Sequence, residues 1–198
     1  MASLARQGRE AFPHAPALEP GARPAEVEIR AASPQAAVRL PASRRELAVM
    51  LLAMRRKAES LFRAGQCPGC PAAVELAVLD DGAMSALNRR AMGVAGPTNI
   101  LSFPAADASA GARASLALSS AALARESLLY GQHPLEHLAR LLAHGMAHVC
   151  GFDHGPAMDA FAGELEAEGL AFLAEAAAEG AEETGSAGAT QGDALRHA

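Results

Sequence analysis

The chain is poor in aromatic side chains and has no long apolar run. Its 198 residues include no tryptophan, one tyrosine and six phenylalanines, whereas alanine is abundant. This composition favours helices and argues against a β-sandwich. No apolar run approaches the roughly 20 residues that a helix needs to span a bilayer. The sequence therefore excludes a transmembrane helix, and we expect no membrane partner.

The sequence also has no secretion signal and no complete set of cysteine ligands for a zinc site. The N-terminus has no continuous apolar segment typical of a secretion signal, so we expect a cytoplasmic protein. Cys67-Pro-Gly-Cys70 is the only C-x-x-C pair, and no second pair completes a zinc site. Its proline and glycine predict a loop between a helix and a strand, with a redox or half-metal site as the alternative. Cys150 is expected to pack as a small apolar residue.

Charge is distributed unevenly although the net charge is only −5. Residues 1–63 hold 11 Lys/Arg and 6 Asp/Glu, whereas residues 155–198 hold 1 and 9. An acidic C-terminal part repels nucleic acid, so a nucleic acid would approach from the basic N-terminal side. Ordinary solvated faces are the simpler interpretation of this asymmetry.

Periodicity and turn signals divide the chain into three parts and predict an α+β fold. We expect a flexible leader over 1–24, a single domain over 25–178 and a disordered acidic tail over 179–198. The domain should contain a small mixed β-sheet of about four strands packed with about five helices. Predicted strands lie near 26–30, 74–78, 100–103 and 116–118. Predicted helices cover 43–64, 119–130 and 156–178. A short helix is also expected after Asp80 or Asp81, and another helix should begin at Pro134.

Three histidines near the end of one predicted helix point to a metal site. Residues 144–154 read His-Gly-Met-Ala-His-Val-Cys-Gly-Phe-Asp-His. His144 and His148 are four apart and share a helix face, and Gly151 lets the chain turn so that His154 can join them. Three imidazoles with a vacant fourth position are typical of a catalytic zinc site. The sequence predicts one zinc ion per chain at a helix C-terminus and the following turn, although nickel, cobalt or copper would also suit these ligands.

The residue after the first histidine limits which reactions the predicted metal site can catalyse. Zinc proteases with this spacing carry a glutamate there as general base, whereas this chain has Gly145. A metallopeptidase is therefore disfavoured but stays an alternative. The remaining local carboxylate is Asp153. It is a candidate general base acting through water, or a residue that orients a ligand histidine, which we favour.

Two segments together resemble a known family. The histidine motif is similar to the signature of the YbeY family of bacterial single-strand endoribonucleases and rRNA maturation factors. Thr98-Asn-Ile-Leu-Ser-Phe-Pro104 resembles a second segment of that family, and Leu87-Asn88 precedes it as expected. The resemblance implies a zinc-dependent nuclease for single-stranded RNA that acts on rRNA at the ribosome, in 16S 3′ end processing and ribosome quality control. Ser102 and Phe103 are candidate substrate-binding residues beside the metal.

One departure from the family concerns a charged residue. Met92 stands where relatives usually have an arginine, and a methionine cannot donate a hydrogen bond to a phosphate. Arg89, Arg90 or Arg140 are possible replacements for that charge. Met92 keeps open a further alternative, a non-catalytic ribosome-assembly factor stabilised by its metal.

Overall fold

The computed structural model describes residues 26–105 and 112–189, and in these it has four strands and six helices. The predicted leader, residues 1–24, and residues 190–198 of the predicted tail lie outside the described residues. The elements are β1 (Val27–Ala31), α1 (Pro34–Val38), α2 (Arg44–Arg63), β2 (Ala73–Leu79), α3 (Asp81–Met92), β3 (Ile100–Phe103), β4 (Arg113–Ser119), α4 (Ser120–Tyr130), α5 (Pro134–Val149) and α6 (Pro156–Ala189).

The four strands form one mixed sheet, which confirms the predicted α+β class. Their order is β1-β2-β4-β3. β1 and β2 are parallel, as are β2 and β4, whereas β3 runs antiparallel to β4. β3 is therefore an edge strand, and its residue Ser102 lies opposite Leu116 of β4.

Helices cover both faces of the sheet because side chains alternate along each strand. On one face, Met84 and Leu87 of α3 pack with Phe103 and Ala117. The opposite face joins α2, α5 and α6 in a larger core that includes Leu76, Ile100 and Leu116. β3 thus contributes Ile100 to the core that also contains α5, the helix that carries His144 and His148.

Local capping signals set the beginnings of several helices. The Ser43 hydroxyl accepts a hydrogen bond from the Glu46 amide, and the Glu46 carboxylate accepts one from the Ser43 amide, so the two residues form a capping box at the beginning of α2. The side chain of Asp80 caps α3, and that of Ser119 caps α4. Pro134 occupies the first turn of α5 as predicted.

Replacing Ser43 with alanine should lower the free energy of unfolding by about 1 kcal/mol, because the first turn of α2 loses its side-chain acceptor. Ser60 is an exposed residue inside the same helix and provides the control. Ser60→Ala should change stability by less than about 0.5 kcal/mol. Urea unfolding of the two variants measures the difference, and equal values would show that the capping box contributes nothing.

Two helices differ from the sequence prediction. Helix α1 was not predicted; it is only five residues long, and the Ser33 side chain caps it. Helix α6 continues to Ala189, beyond the predicted end at 178. Residues 179–189 hold three alanines and three glutamates, which are strong helix formers, but also three glycines, so the helix continues through a segment of mixed helix propensity where a disordered tail was predicted.

In the ranges 26–105 and 112–189, no helix combines the length and the apolar character that crossing a membrane would demand.

Candidate metal centre

The helix that carries two of the histidines is firmly embedded in the core. Ten of the sixteen residues of α5 are buried, among them Leu138, Leu142 and Met146. These residues form an apolar stripe along one side of the helix. The stripe orients the helix, so that His144 and His148 lie together at its last turns and are only partly buried. Packing therefore fixes the position of the first two candidate ligands.

A glycine turn brings the third histidine back to the helix end. Gly151 has a φ of +95°, in the left-handed region that side chains disfavour. The Phe152 amide donates to the Ala147 carbonyl at 3.1 Å, which closes the turn over the last helical residues. This is the bend predicted from the glycine. It places His154 beside the other two rings.

The three imidazoles converge. Ring centroids are 4.7 Å apart for His144 and His148, 4.7 Å for His148 and His154, and 5.4 Å for His144 and His154. Each ring offers a nitrogen, and these three atoms lie within 4.8 Å of one another. His154 is exposed, so the group opens to solvent. Among the described residues this is the group of three or more side chains able to share one ion.

A backbone carbonyl orients His148. The Phe152 carbonyl oxygen lies 3.1 Å from His148 Nδ1. A carbonyl only accepts, so Nδ1 carries the proton and Nε2 is left with its lone pair for a metal. Asp153 was favoured for such an orienting role from the sequence. It is exposed, and within the described residues it has no hydrogen bond or ion pair, so its role stays a prediction.

Electrostatics favour the neutral form of His144, which is the form that binds metals. Burial lowers the pKa of His144, and the neighbouring His148 and His154 lower it further. Asp159, in the first turn of α6, acts in the opposite direction. A neutral imidazole is the ligand form, so the donor set suits a zinc ion. Sequence reasoning missed Asp159, because nothing in its spacing from the motif shows that α6 turns back toward His144.

Gly145 has a packing role. A Cβ atom built at this position would lie 2.8 Å from Ile100 Cδ1, 3.1 Å from Leu116 Cδ2 and 3.3 Å from Ser102 Oγ. The helix therefore rests directly on β3 and β4 at the residue after His144. A glutamate here would point into the sheet, so the glycine that replaces the protease base is required by packing.

The two candidate substrate-binding residues differ in their surroundings. Ser102 is partly buried on edge strand β3, and its hydroxyl approaches Gly145, the neighbour of His144. Phe103 is only 3% exposed, and its ring packs with Met84 and Leu87. A role for either residue in binding substrate stays a prediction. For Phe103, that role would fall to the backbone, since the ring belongs to the core.

Met92, which stands where relatives usually have an arginine, lies at the end of α3. Met92 is the last residue of that helix and is 53% exposed. Arg89 and Arg90 are exposed in the same last turn. Arg140 on α5 instead forms an ion pair with Glu166 of α6 at 3.5 Å. Whether any of the three replaces the missing charge stays a prediction.

Comparisons with known proteins show the family to which this chain belongs. Residues 42–170 match the family described as Endoribonuclease YbeY. Proteins of that name from Oleidesulfovibrio alaskensis and Nitratidesulfovibrio vulgaris are 46% identical over 108 residues and 43% identical over 107 residues. These matches cover 43% and 44% of this chain, and 64% and 66% of the relatives, which is just under two thirds of each.

For a third protein of the same name, the match covers a slightly larger share of both this chain and the relative. The protein from Lawsonia intracellularis is 40% identical over 92 residues, which cover 46% of this chain and 68% of the relative. The family match includes α2, the sheet strands from β2 onward and all three histidines. Since it extends over more than half of the sequence, the chain belongs to the endoribonuclease YbeY family.

Proposed function

We propose that this protein is a metal-dependent endoribonuclease that hydrolyses single-stranded RNA with one zinc ion per chain. The convergence of His144, His148 and His154 at a solvent-open point is the observation that carries the proposal. The names of the relatives supply the substrate class, since three imidazoles by themselves do not distinguish a phosphodiester from a peptide bond.

The roles of the residues follow from their positions. His144, His148 and His154 would hold a zinc ion, and the chemistry that it would supply is Lewis acidity for the activation of water and the polarisation of a phosphoryl oxygen near neutral pH. His148 presents Nε2 because the Phe152 carbonyl holds its Nδ1–H. Ser102 on the edge strand lines the groove for an extended RNA strand. Asp153, next to His154 and exposed to solvent, is assigned the role favoured from the sequence, orientation of a ligand histidine, with proton transfer through water as the alternative.

The cellular role is part of the same proposal. We assign the protein to rRNA maturation, in processing of the 16S rRNA 3′ end, and to ribosome quality control, with the ribosome as partner and the cytoplasm as location. The resemblance of residues 98–104 and 144–154 to family motifs supports this assignment.

A substrate panel tests the activity. The zinc-loaded protein should cleave an unstructured RNA and leave a stable RNA duplex and casein intact. Proteolysis without RNA cleavage would overturn the proposal in favour of a metallopeptidase, which the packing of Gly145 disfavours. Gel electrophoresis of labelled RNA and of casein gives both results from one preparation.

Exposed Met92 favours one other candidate, a non-catalytic ribosome-assembly factor stabilised by its metal. A chelator separates the two. We expect RNA cleavage to disappear while the far-UV circular dichroism changes by less than about a tenth, because α5 is held by core packing as well as by the triad. Loss of helicity on chelation, together with no cleavage in the zinc-loaded protein, would instead support the structural role.

A further inference from the structure

A carboxylate on α4 joins edge strand β3 to the helix that carries His144 and His148. The side-chain nitrogen of Asn99 lies 3.2 Å from both carboxylate oxygens of Glu126, and His137 Nε2 lies 2.9 Å from Glu126 Oε2. Asn99 immediately precedes β3, and His137 lies near the beginning of α5. The three side chains therefore form a bridge between β3 and α5, which we call the Glu126 bridge.

The direction of each hydrogen bond in the Glu126 bridge follows from its partners. Asn99 Oδ1 accepts from the Ile100 amide at 2.7 Å, so the side-chain nitrogen of Asn99 is the atom that faces Glu126. A carboxylate only accepts, so His137 Nε2 donates to it. His137 is 6% exposed, and its Nδ1 has no hydrogen-bond partner within 26–105 and 112–189. Glu126 is thus the acceptor on which both side chains depend.

Strand β3 meets α5 at two places. One is the direct contact of Ile100 with Gly145, the residue after His144. The other is the Glu126 bridge, which reaches α5 at His137, about two helical turns before His144. Hydrogen bonds to a charged group are stronger than neutral ones. The bridge therefore adds a second fixed point to the position of the strand against the helix.

We propose that Glu126 is a positioning residue, which holds β3 against α5 so that Ser102 keeps its place beside the histidine triad. The residue acts through Asn99 and His137 and takes no part in the chemistry. Without the carboxylate, both donors lose their acceptor, and one of them belongs to a buried ring. The consequence for RNA cleavage rests on the proposed function, whereas the position of β3 does not.

A reversal of charge between two side chains tests the bridge. Asn99→Asp places a second carboxylate against Glu126, and like charges at this distance repel. Adding Glu126→Gln restores the pair, because the new amide donates to the new carboxylate while its oxygen accepts from His137. Glu136→Gln is the matched control, since it makes the same change at an exposed residue of α5 that has no ion pair among the described residues.

Amide hydrogen exchange of the zinc-loaded full chain gives the first readout. In Asn99→Asp, the amides of β3 should exchange at least about 10-fold faster than in the wild type, and the double variant should return to within about threefold. The amides of β1, at the other edge of the sheet, should keep their rates. Equal acceleration of β1 and β3 would show a global loss of stability and would overturn the proposal.

RNA cleavage gives the second readout. For folded, zinc-loaded protein well below the melting temperature, kcat should fall by at least about 10-fold in Asn99→Asp and recover to within about threefold in the double variant. A merely structural role would lower the melting temperature and leave kcat per folded molecule unchanged. Glu136→Gln should match the wild type in both readouts.

The proposal is overturned by wild-type exchange of β3 in Asn99→Asp, by faster exchange with unchanged kcat, or by a double variant that recovers neither property. If Asn99→Asp does not fold, Glu126→Ala replaces it, because this change removes the acceptor without adding a charge and should accelerate β3 exchange in the same way. A wild-type protein that does not cleave RNA would refute the proposed function, and the exchange rates would still decide whether Glu126 holds β3.

Discussion

Replacement of His148 by alanine should abolish stoichiometric zinc binding and reduce RNA cleavage by more than 100-fold. The ring is the central member of the triad, at 4.7 Å from each of its partners. Loss of a residue that merely orients a ligand costs roughly 10- to 100-fold in metal affinity or activity, so loss of the ligand itself should cost more. Metal analysis of the purified variant and initial cleavage rates measure the two effects.

The histidine that immediately precedes α5 offers a matched control. His133 precedes α5, is exposed and makes no side-chain capping hydrogen bond. His133→Ala should therefore keep one zinc ion per chain and the wild-type cleavage rate, as should Cys67→Ser, whereas His144→Ala should behave like His148→Ala. A His148→Ala protein that retained stoichiometric zinc, or a Cys67→Ser protein that lost it, would show that the metal binds elsewhere.

Gly145→Glu should destabilise the protein by at least about 3 kcal/mol and should not create protease activity. The new Cβ would lie within 2.8 Å of Ile100 Cδ1, so the helix and the sheet would have to separate. Overpacking of this kind costs about 1–3 kcal/mol, and burial of a carboxylate without a partner adds to that. Urea unfolding and casein digestion measure the two results.

Gly163 is the control for this substitution. It is an exposed residue inside α6, and a Cβ there would meet no atom within 4 Å. Gly163→Ala should stabilise the protein by up to about 1 kcal/mol, because alanine has the higher helix propensity. A stable Gly145→Glu protein that cleaves casein would contradict the packing role of Gly145 and revive the metallopeptidase alternative.

Helix ends and turns that depend only on residues close together in the sequence could be predicted. Ser43 and Glu46 marked the beginning of α2, Pro134 marked the first turn of α5, and Gly151 marked the turn after it. Capping groups and glycine turns act over a few residues, so their spacing contains most of the information. The same reason explains why His144 and His148 could be paired on one helix face before any coordinates were known.

Contacts between distant segments could not be predicted in this way. The closeness of Gly145 to Ile100 depends on how α5 docks on the sheet, and the approach of Gly69 to the Cys150 carbonyl oxygen joins two segments that are far apart in the chain. Neither contact has a periodic signal. The orientation of His148 by a main-chain carbonyl was also missed, since every residue has such an acceptor and Asp153 was the more conspicuous group.

All three candidate ligands lie within residues 144–154, on the last turns of α5 and the bend at Gly151. A site made from remote strands and loops forms only when long-range docking is complete, whereas this one needs a single contiguous stretch. Two histidines four residues apart that bind one cation also hold one turn of helix in place. This helps α5 to form, because nucleation is the costly step in forming an isolated helix. With the proposed metal, the nascent chain would therefore bind the ion early during synthesis, and α5 would be ordered before α6 has emerged to pack beside it.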